Sequence, residues 1–426
     1  MAYIADFEKA LEIGRPPNIT TLFPHSQALL VSGKVVDRAM MAKGGAMTIA
    51  ANGRSNVVIR GALKAAQRAR SAIIIEIARS EGGANAYCAV NYWNIARQVD
   101  ALCNELGITV PVAIHADHYG IKNSADIPSA IVEIPSIFDA GITSIAIDAS
   151  HMPDDDNLLA SIKLAKYVPS WAGFETEVGE IKGTLGLSSA EEALFLIQGL
   201  NAHNIFPDWI ALNNGTTHGI EASAQGIQVE LTAEIHDALA KYAVSGAQHG
   251  TSGNNSDRLR EIAASTQSTK ANVATALQMI SWGLAVNDYG NATLDADGEF
   301  IKEPGEGVSE ELWLEIQQYA ETQGWKKGDY KKLNLPFENK IMGQPKAIRE
   351  RMARRVEDFV YTLLVEVFNA ADTARYGVEA LLDCGSYDLG PKTGRLEPLE
   401  EWSESEIRKR AATLDTDKGP EGDFDD

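Results

Sequence analysis

Cysteine is scarce in this chain. Cys88, Cys103 and Cys384 are widely spaced, odd in number and form no CxxC pair. That excludes a disulfide framework and a thiolate metal site, and it fits a reducing compartment. No apolar run approaches the ~20 residues that a membrane span requires. The opening stretch from Met1 to Lys9 carries acids and no apolar segment, so no signal peptide is expected there. Basic charge is also in short supply: 38 Lys and Arg face 59 Asp and Glu, a formal net charge of -21. Such a surface repels nucleic-acid phosphates and anionic lipid headgroups. The expectation is a cytoplasmic protein with neither a nucleic-acid nor a membrane partner. A phosphate-bearing ligand would need positive groups gathered locally against this background.

Core-forming material, by contrast, is plentiful. Hydrophobic residues make up 45% of the 426, enough for a full core. Short apolar, β-branched runs recur at 47–50, 72–77, 110–114, 144–147, 173–178, 209–212, 244–247 and 269–273. Between them lie helical stretches such as Gly61 to Arg70, Tyr92 to Leu106, Ser189 to Ala202 and Ser256 to Ser265. A strand followed by a helix roughly every 25 to 40 residues implies parallel strands with crossover helices. Eight such units suit a closed α/β barrel of the (β/α)8 type, with an open sheet as the alternative. Past the last run comes a polar stretch, Asn291 to Gly307. Helices are expected at Ser309 to Gln323 and Gln344 to Asn369, the latter bearing Arg349, Arg351, Arg354 and Arg355. The barrel and its helical extension are expected to occupy residues 1–388. Residues 389–426 read as an acidic polar tail, in which Glu400 to Ala412 suits a short docked helix.

Barrels of this kind place their chemistry at the C-terminal ends of the strands. Five of the eight histidines fall there: His115, His118, His151, His218 and His249. Asp117 and Asp148 lie beside them, and the fifth run carries Glu175, Glu177 and, just beyond, Glu180. A single histidine at a strand end is ordinarily a hydrogen-bonded structural residue. Several imidazoles from different strands can converge on one ion, and His118, His218 and His249 are the candidates. Such an ion polarises a carbonyl and stabilises enolate charge, while a neighbouring acid transfers a proton. His115 and His151 suit the orientation of a ligand. The turn Gly250-Thr251-Ser252-Gly253 and the region of Asn272 present backbone N–H groups where barrels often bind phosphate. Ser80-Glu81-Gly82-Gly83 is a weaker case of the same kind.

At these residues the sequence resembles the class II, metal-dependent ketose-bisphosphate aldolases, which include the fructose 1,6-bisphosphate and tagatose 1,6-bisphosphate enzymes. The matching stretches are Val110-Pro111-Val112 through His115-Ala116-Asp117-His118, Ile147 to His151, Glu175 to Gly179, Thr217-His218-Gly219, and His249 to Gly253. Lys270-Ala271-Asn272 and Ser80-Glu81-Gly82 match more loosely. The resemblance runs over roughly residues 20 to 370 and implies a (β/α)8 barrel. It implies Zn2+, or another divalent metal, on His118, His218 and His249, with Glu177 and Asp148 at a nearby metal position, and it leaves room for a monovalent cation. Asp117 matches the acid that exchanges a proton with the aldehyde-derived hydroxyl. Gly219, Gly250, Ser252, Asn272 and Thr275 match positions that hold dihydroxyacetone phosphate.

The activity implied is reversible cleavage of fructose 1,6-bisphosphate to dihydroxyacetone phosphate and glyceraldehyde 3-phosphate, a step of glycolysis and gluconeogenesis. A homodimer or larger assembly is implied too. Arg349, Arg351, Arg354 and Arg355 are then candidates to reach a neighbouring subunit, or they form the polar face of an amphipathic helix. Three positions depart from the family pattern. Ala222 stands where a phosphate-binding Lys is common. Asn272-Val273-Ala274-Thr275-Ala276 lacks the usual acids. The loop after the fifth run is short, with Glu180 as its acid and the candidate base. Lys182, Lys122 and Arg79 are candidates to replace the missing Lys. Tagatose 1,6-bisphosphate or another ketose phosphate is the alternative substrate. A metal-dependent sugar-phosphate isomerase and a catalytically silent sugar-phosphate-binding barrel are alternatives of other classes.

Overall fold

The computed structural model describes residues 2–84, 86–179, 186–215, 226–251, 254–287 and 290–414. Eight strands form within them: β1 (Thr48–Asn52), β2 (Ile73–Ala78), β3 (Val112–Gly120), β4 (Ser144–Asp148), β5 (Gly173–Val178), β6 (Trp209–Leu212), β7 (Ser245–Gln248) and β8 (Ser268–Val273). Each pairs in parallel with its sequence neighbours, and β1 closes on β8. All eight expected runs are strands, and the architecture is the (β/α)8 barrel. Strands covered on the outside by helices and filled on the inside read as apolar runs, which is why they were visible. The third strand departs most from its expected bounds. It continues past Ile114 through the polar His115-Ala116-Asp117-His118 to Gly120.

The floor of the barrel is closed by the helix Gly33–Lys43. It approaches so closely that a Cβ on Gly33 would lie 2.5 Å from the Ser144 hydroxyl oxygen and 3.0 Å from Trp209. A Cβ on Gly173 would in turn lie 2.8 Å from Gly33 Cα. Buried Asp37 on this helix accepts from Thr269 Oγ1 at 2.7 Å and from Lys392 Nζ at 2.7 Å. Lys392 also donates to the Asp208 carbonyl and to Ser245 Oγ, at 2.9 and 2.8 Å. The C-terminal segment is therefore fastened across the N-terminal mouth. Farther on, the short helix anticipated near Glu400 forms at Glu404–Ala411, and Trp402 beside it is buried against Phe195.

The helix Lys346–Thr362 returns to the barrel wall and packs along Asn56–Ala69. Between it and β8 lies an insertion with its own apolar cluster, including Trp313, Tyr330, Leu333 and Phe337. Besides the expected helix at Glu310–Gln323, it contains a second at Asn334–Met342. Leu335 N–H donates to the Tyr87 carbonyl, beyond the end of β2, at 3.1 Å, which sets this insertion on the C-terminal face, where sites are built. Gln278 ties it down: its side-chain oxygen accepts from Arg54 at 3.0 Å and Asn334 at 2.9 Å, and its amide donates to the Tyr330 carbonyl. No described helix is long and apolar enough to cross a membrane.

Candidate metal and active site

Side chains of a strand alternate between its two faces, so His115 and Asp117 share the inner face of β3. His118 would then point outward. It does not, because the register against β4 shifts between Ala116 and Tyr119, and His118 takes φ +40°. A positive φ is unfavourable for a residue with a Cβ, and such strain concentrates at working sites. The irregularity turns Asp117 and His118 toward the same space. Glu175 and Glu177 reach it from β5, Asp148 from β4, His249 from just beyond β7, and Lys270 and Asn272 from β8.

The hydrogen bonds assign the tautomers. Lys270 is fully buried, and its ammonium lies 2.8 Å from Glu175 Oε2, 3.1 Å from Asp117 Oδ1 and 3.1 Å from His115 Nε2. Lysine only donates, so His115 Nε2 accepts and its Nδ1–H donates to Ser144 Oγ at 2.8 Å. Burial and then the Lys270 charge lower the His115 pKa, which agrees with a neutral ring. On the other side, His249 Nε2 bonds Glu175 Oε1 at 2.9 Å. Glu175 is held ionised, its pKa near 2, because Lys270 and His249 outweigh the opposing effect of burial. His249 therefore donates from Nε2 and presents the lone pair of Nδ1. That atom is buried and has no hydrogen-bond partner among the described residues.

Around this lone pair stand further donors. The His118 and His249 ring centres are 4.3 Å apart. His118 Nδ1 lies 3.1 Å from Glu177 Oε1 and 3.8 Å from Asp148 Oδ2. Among the described residues four overlapping groups each have ligand atoms within 4.8 Å of one another: Asp117, His118 and His249; His118, Asp148 and Glu177; Glu175, Glu177 and His249; and, deeper, Glu76, His115 and Asp117. Ligands bound at roughly 2.1 Å in a tetrahedron sit roughly 3.4 Å apart, so the set needs little movement to close on an ion. A carboxylate behind a histidine, with the free nitrogen facing inward, is a common metal-ligand arrangement. The residues fit a divalent metal.

The electrostatics point the same way. Glu76, Asp117, Asp148, Glu175 and Glu177 are all buried, and among described side chains Lys270 is the ammonium within 4 Å of three of them. Burial drives Glu76 well above the usual range, with Asp117 adding to it. Glu177 is also raised, by burial and then by Asp148. Asp148 comes down to about 2, since His118 and His151 overcome its burial. Asp117 is held well below the usual range: Lys270 first, then His118, outweighs its burial. Asn272 Nδ2 donates to both Asp117 oxygens, at 2.9 and 3.0 Å. The result is an ionised, oriented carboxylate next to two metal-competent imidazoles.

Four of the residues singled out from sequence, Glu180, His218, Gly219 and Ser252, lie outside the described residues, as do Ala222 and Lys182. Asn272 was expected on substrate; here its amide is on Asp117. Thr251 Oγ1 donates to the Asn272 carbonyl at 2.5 Å, and Gly250, at φ +59°, turns the chain just before Thr251. Thr275 begins the helix Thr275–Trp282. Ser80 is exposed, whereas the adjacent Glu81 is buried in an ion pair with Arg54 at 2.5 Å. Arg79 donates to the Gly120 carbonyl at 2.6 Å and lies over the Tyr119 ring, and Lys122 is exposed. Arg351 bonds the carbonyls of Gly307 and Val308, and Arg355 pairs with Glu303, both within the chain.

From sequence, Glu175 stood out only as an acid at a strand end, and Lys270 and Glu76 carried no expected role. A signal was present: Glu175 with Glu177, and Lys270 with Asn272, are two apart on one strand, so each pair faces inward together.

The profile of a family described as fructose-bisphosphate aldolase class-II matches residues 34–324. A Staphylococcus aureus fructose-bisphosphate aldolase is 34% identical over 122 residues, 28% of this chain and 38% of the relative's own length. A Mycoplasma pneumoniae fructose-bisphosphate aldolase is 29% identical over 243 residues, 56% of this chain and 77% of that protein. Among solved structures, the YdjI aldolase from Escherichia coli K12 superposes with a TM-score of 0.54 at 16% identity, covering 81% of this chain and 99% of that one. Fructose-bisphosphate aldolase from Campylobacter jejuni gives 0.52 at 19% identity, with 81% and 97% covered. At such identities the structural likeness speaks for the fold.

Proposed function

Since the chain belongs to the class-II fructose-bisphosphate aldolase family, we propose that it is a divalent-metal lyase that reversibly cleaves fructose 1,6-bisphosphate to dihydroxyacetone phosphate and glyceraldehyde 3-phosphate. The observation that carries the reading is the convergence of His118, His249 and ionised Asp117 at one point in the barrel mouth. His118 and His249 would hold the metal together with His218, with Glu177 and Asp148 offering a neighbouring position. When bound, a cation such as Zn2+ supplies a Lewis acid that stabilises the negative charge developing on the ketone half.

The chain's own groups do the rest. In cleavage, Asp117 takes the proton from the C4 hydroxyl, the C3–C4 bond breaks, and the aldehyde leaves. Its depressed pKa and the two hydrogen bonds from Asn272 keep it ionised and aimed for that transfer. In condensation the same carboxyl returns the proton to the new hydroxyl. Glu180 is proposed as the group that exchanges the proton at C3. Lys270 positions Asp117 and, through Glu175, fixes the His249 tautomer. The turn Gly250-Thr251-Ser252, with Gly219, Asn272, Thr275 and Ser80, is proposed for phosphate. The same reading makes the protein a cytoplasmic homo-oligomer, which sedimentation would measure.

Incubation with fructose 1,6-bisphosphate and coupled detection of both triose phosphates tests the activity. Turnover lost to a chelator and restored by zinc or cobalt supports it. Aldose–ketose interconversion without carbon–carbon cleavage would replace it with an isomerase, and binding without turnover with a silent barrel. Ala222, standing where the family often has a phosphate-binding Lys, favours a second reading: the same chemistry on tagatose 1,6-bisphosphate or another ketose phosphate. Relative kcat/KM across a panel of ketose phosphates separates the two.

A further inference from the structure

We infer that the barrel floor carries a second binding site, for a small organic anion with an apolar body. A cavity of 510 Å³ lies there, walled by Ile162, Val168, Phe174, Ile205, Phe206 and Pro391. Lys34, Lys166 and His203 are its basic residues. Its volume falls within the roughly 300–1,000 Å³ of small-molecule sites, and apolar walls with a few fixed polar groups are their usual composition. It is remote from the metal-competent residues. Phe174 is the second residue of β5 and Glu177 the fifth, so the cavity and the mouth lie toward opposite ends of the strand.

Lys34 sets the charge of the ligand. Its side chain is 7% exposed, and its nearest carboxylate oxygen, on Asp388, is 3.9 Å away. The ammonium donates to the Ser170 carbonyl, which occupies one of its three N–H groups. A buried ammonium held by a neutral carbonyl and a carboxylate beyond hydrogen-bonding distance gains from a closer anion. Exposed Lys166 adds a second positive charge. Two aromatic rings, Phe174 and Phe206, and the branched Ile162, Val168 and Ile205 suit a flat or branched body. An aromatic carboxylate meets both demands. A sugar bisphosphate does not, because its hydroxyls would find few partners on these walls. Pro391 lines the cavity, and the next residue is Lys392, whose ammonium fastens the C-terminal segment to Asp37 and Ser245. A ligand here therefore rests against that fastening.

Benzoate is the probe, with acetate lacking the ring and benzyl alcohol lacking the charge. Calorimetric titration is run on the full chain with chelator present, so that the mouth holds no metal to compete for carboxylate. The expected result is one benzoate per chain, with acetate and benzyl alcohol each at least tenfold weaker. Lys34→Met weakens benzoate at least tenfold. Ile205→Trp, which fills the cavity and leaves Lys34 in place, abolishes binding. Equal binding of benzyl alcohol, binding that survives Ile205→Trp, or no saturable benzoate binding overturns the proposal. If Lys34→Met does not fold, Ile205→Trp and the two control ligands still decide. None of these readouts depends on aldolase turnover.

Discussion

Replacing Lys270 by Met tests whether one ammonium organises the site. The substitution roughly conserves length and apolar stem, and it removes a charge that touches Asp117, Glu175 and His115. Breaking a buried pair by deleting one partner typically costs about 3–5 kcal/mol, because the remaining charge is stranded. Here two carboxylates are stranded near a third, Glu76, whose nearer oxygen is 3.6 Å from the ammonium. The upper part of that range is expected. For 426 residues, an unfolding entropy of about 2.1 cal/mol/K per residue gives roughly 0.9 kcal/mol/K, so the Tm should fall by about 4–6 °C.

The pH dependence carries a sign. Lys270 depresses Glu175 to about 2 and Asp117 well below its usual value. That stabilisation is fully present above the unfolded carboxylate pKa of about 4 and is lost as pH falls through the folded values. In the variant both folded pKa values rise, so protonation relieves the stranded charge. The deficit should thus be largest near pH 7 and shrink as pH falls below about 5. Thermal melts in chelator at pH 7 and pH 4 measure it. A loss under about 1 kcal/mol, or one that stays constant between those pH values, would refute the role given to Lys270.

Asp117→Asn should lower kcat by roughly 10²- to 10⁴-fold, the usual worth of a general acid–base group, while bound metal measured by atomic spectroscopy stays stoichiometric. His249→Ala should lose metal and turnover together, seen as a chelator-insensitive Tm, if its Nδ1, which has no hydrogen-bond partner among the described residues, serves as a ligand atom. Gly33→Ala places a Cβ 2.5 Å from the Ser144 hydroxyl, so overpacking should cost about 1–3 kcal/mol. An unchanged thermal midpoint would show that the floor helix is free to shift.

The eight strands were legible because a strand buried on both faces is largely apolar, and each of β1 to β8 overlaps one of the expected runs even where Glu175, Glu177 or Lys270 interrupts it. Histidines at strand ends stood out because so few exist elsewhere in the chain. Where strand and site overlap, the reading faltered. Nothing in His115-Ala116-Asp117-His118 announces that the strand continues, or that an irregular step turns His118 inward. The insertion after β8 read as a polar stretch and one helix, Ser309 to Gln323. Its second helix, Asn334–Met342, and its cluster around Trp313 and Tyr330 are set by hydrogen bonds to Gln278 and by packing with Val57, Met279 and Trp282, which lie far away in sequence.

The sequence by itself determined the periodic alternation of strand and helix, the acidic balance, and which strand ends bear imidazoles and carboxylates. All of these are local, set by residue type and spacing. The tertiary structure alone decided which charges meet. Lys270 finds Asp117 and Glu175 across 153 and 95 residues, and Lys392 finds Asp37 across 355. Ring closure brings distant strands side by side, and no one-dimensional pattern encodes the few ångströms over which a buried charge chooses its partner.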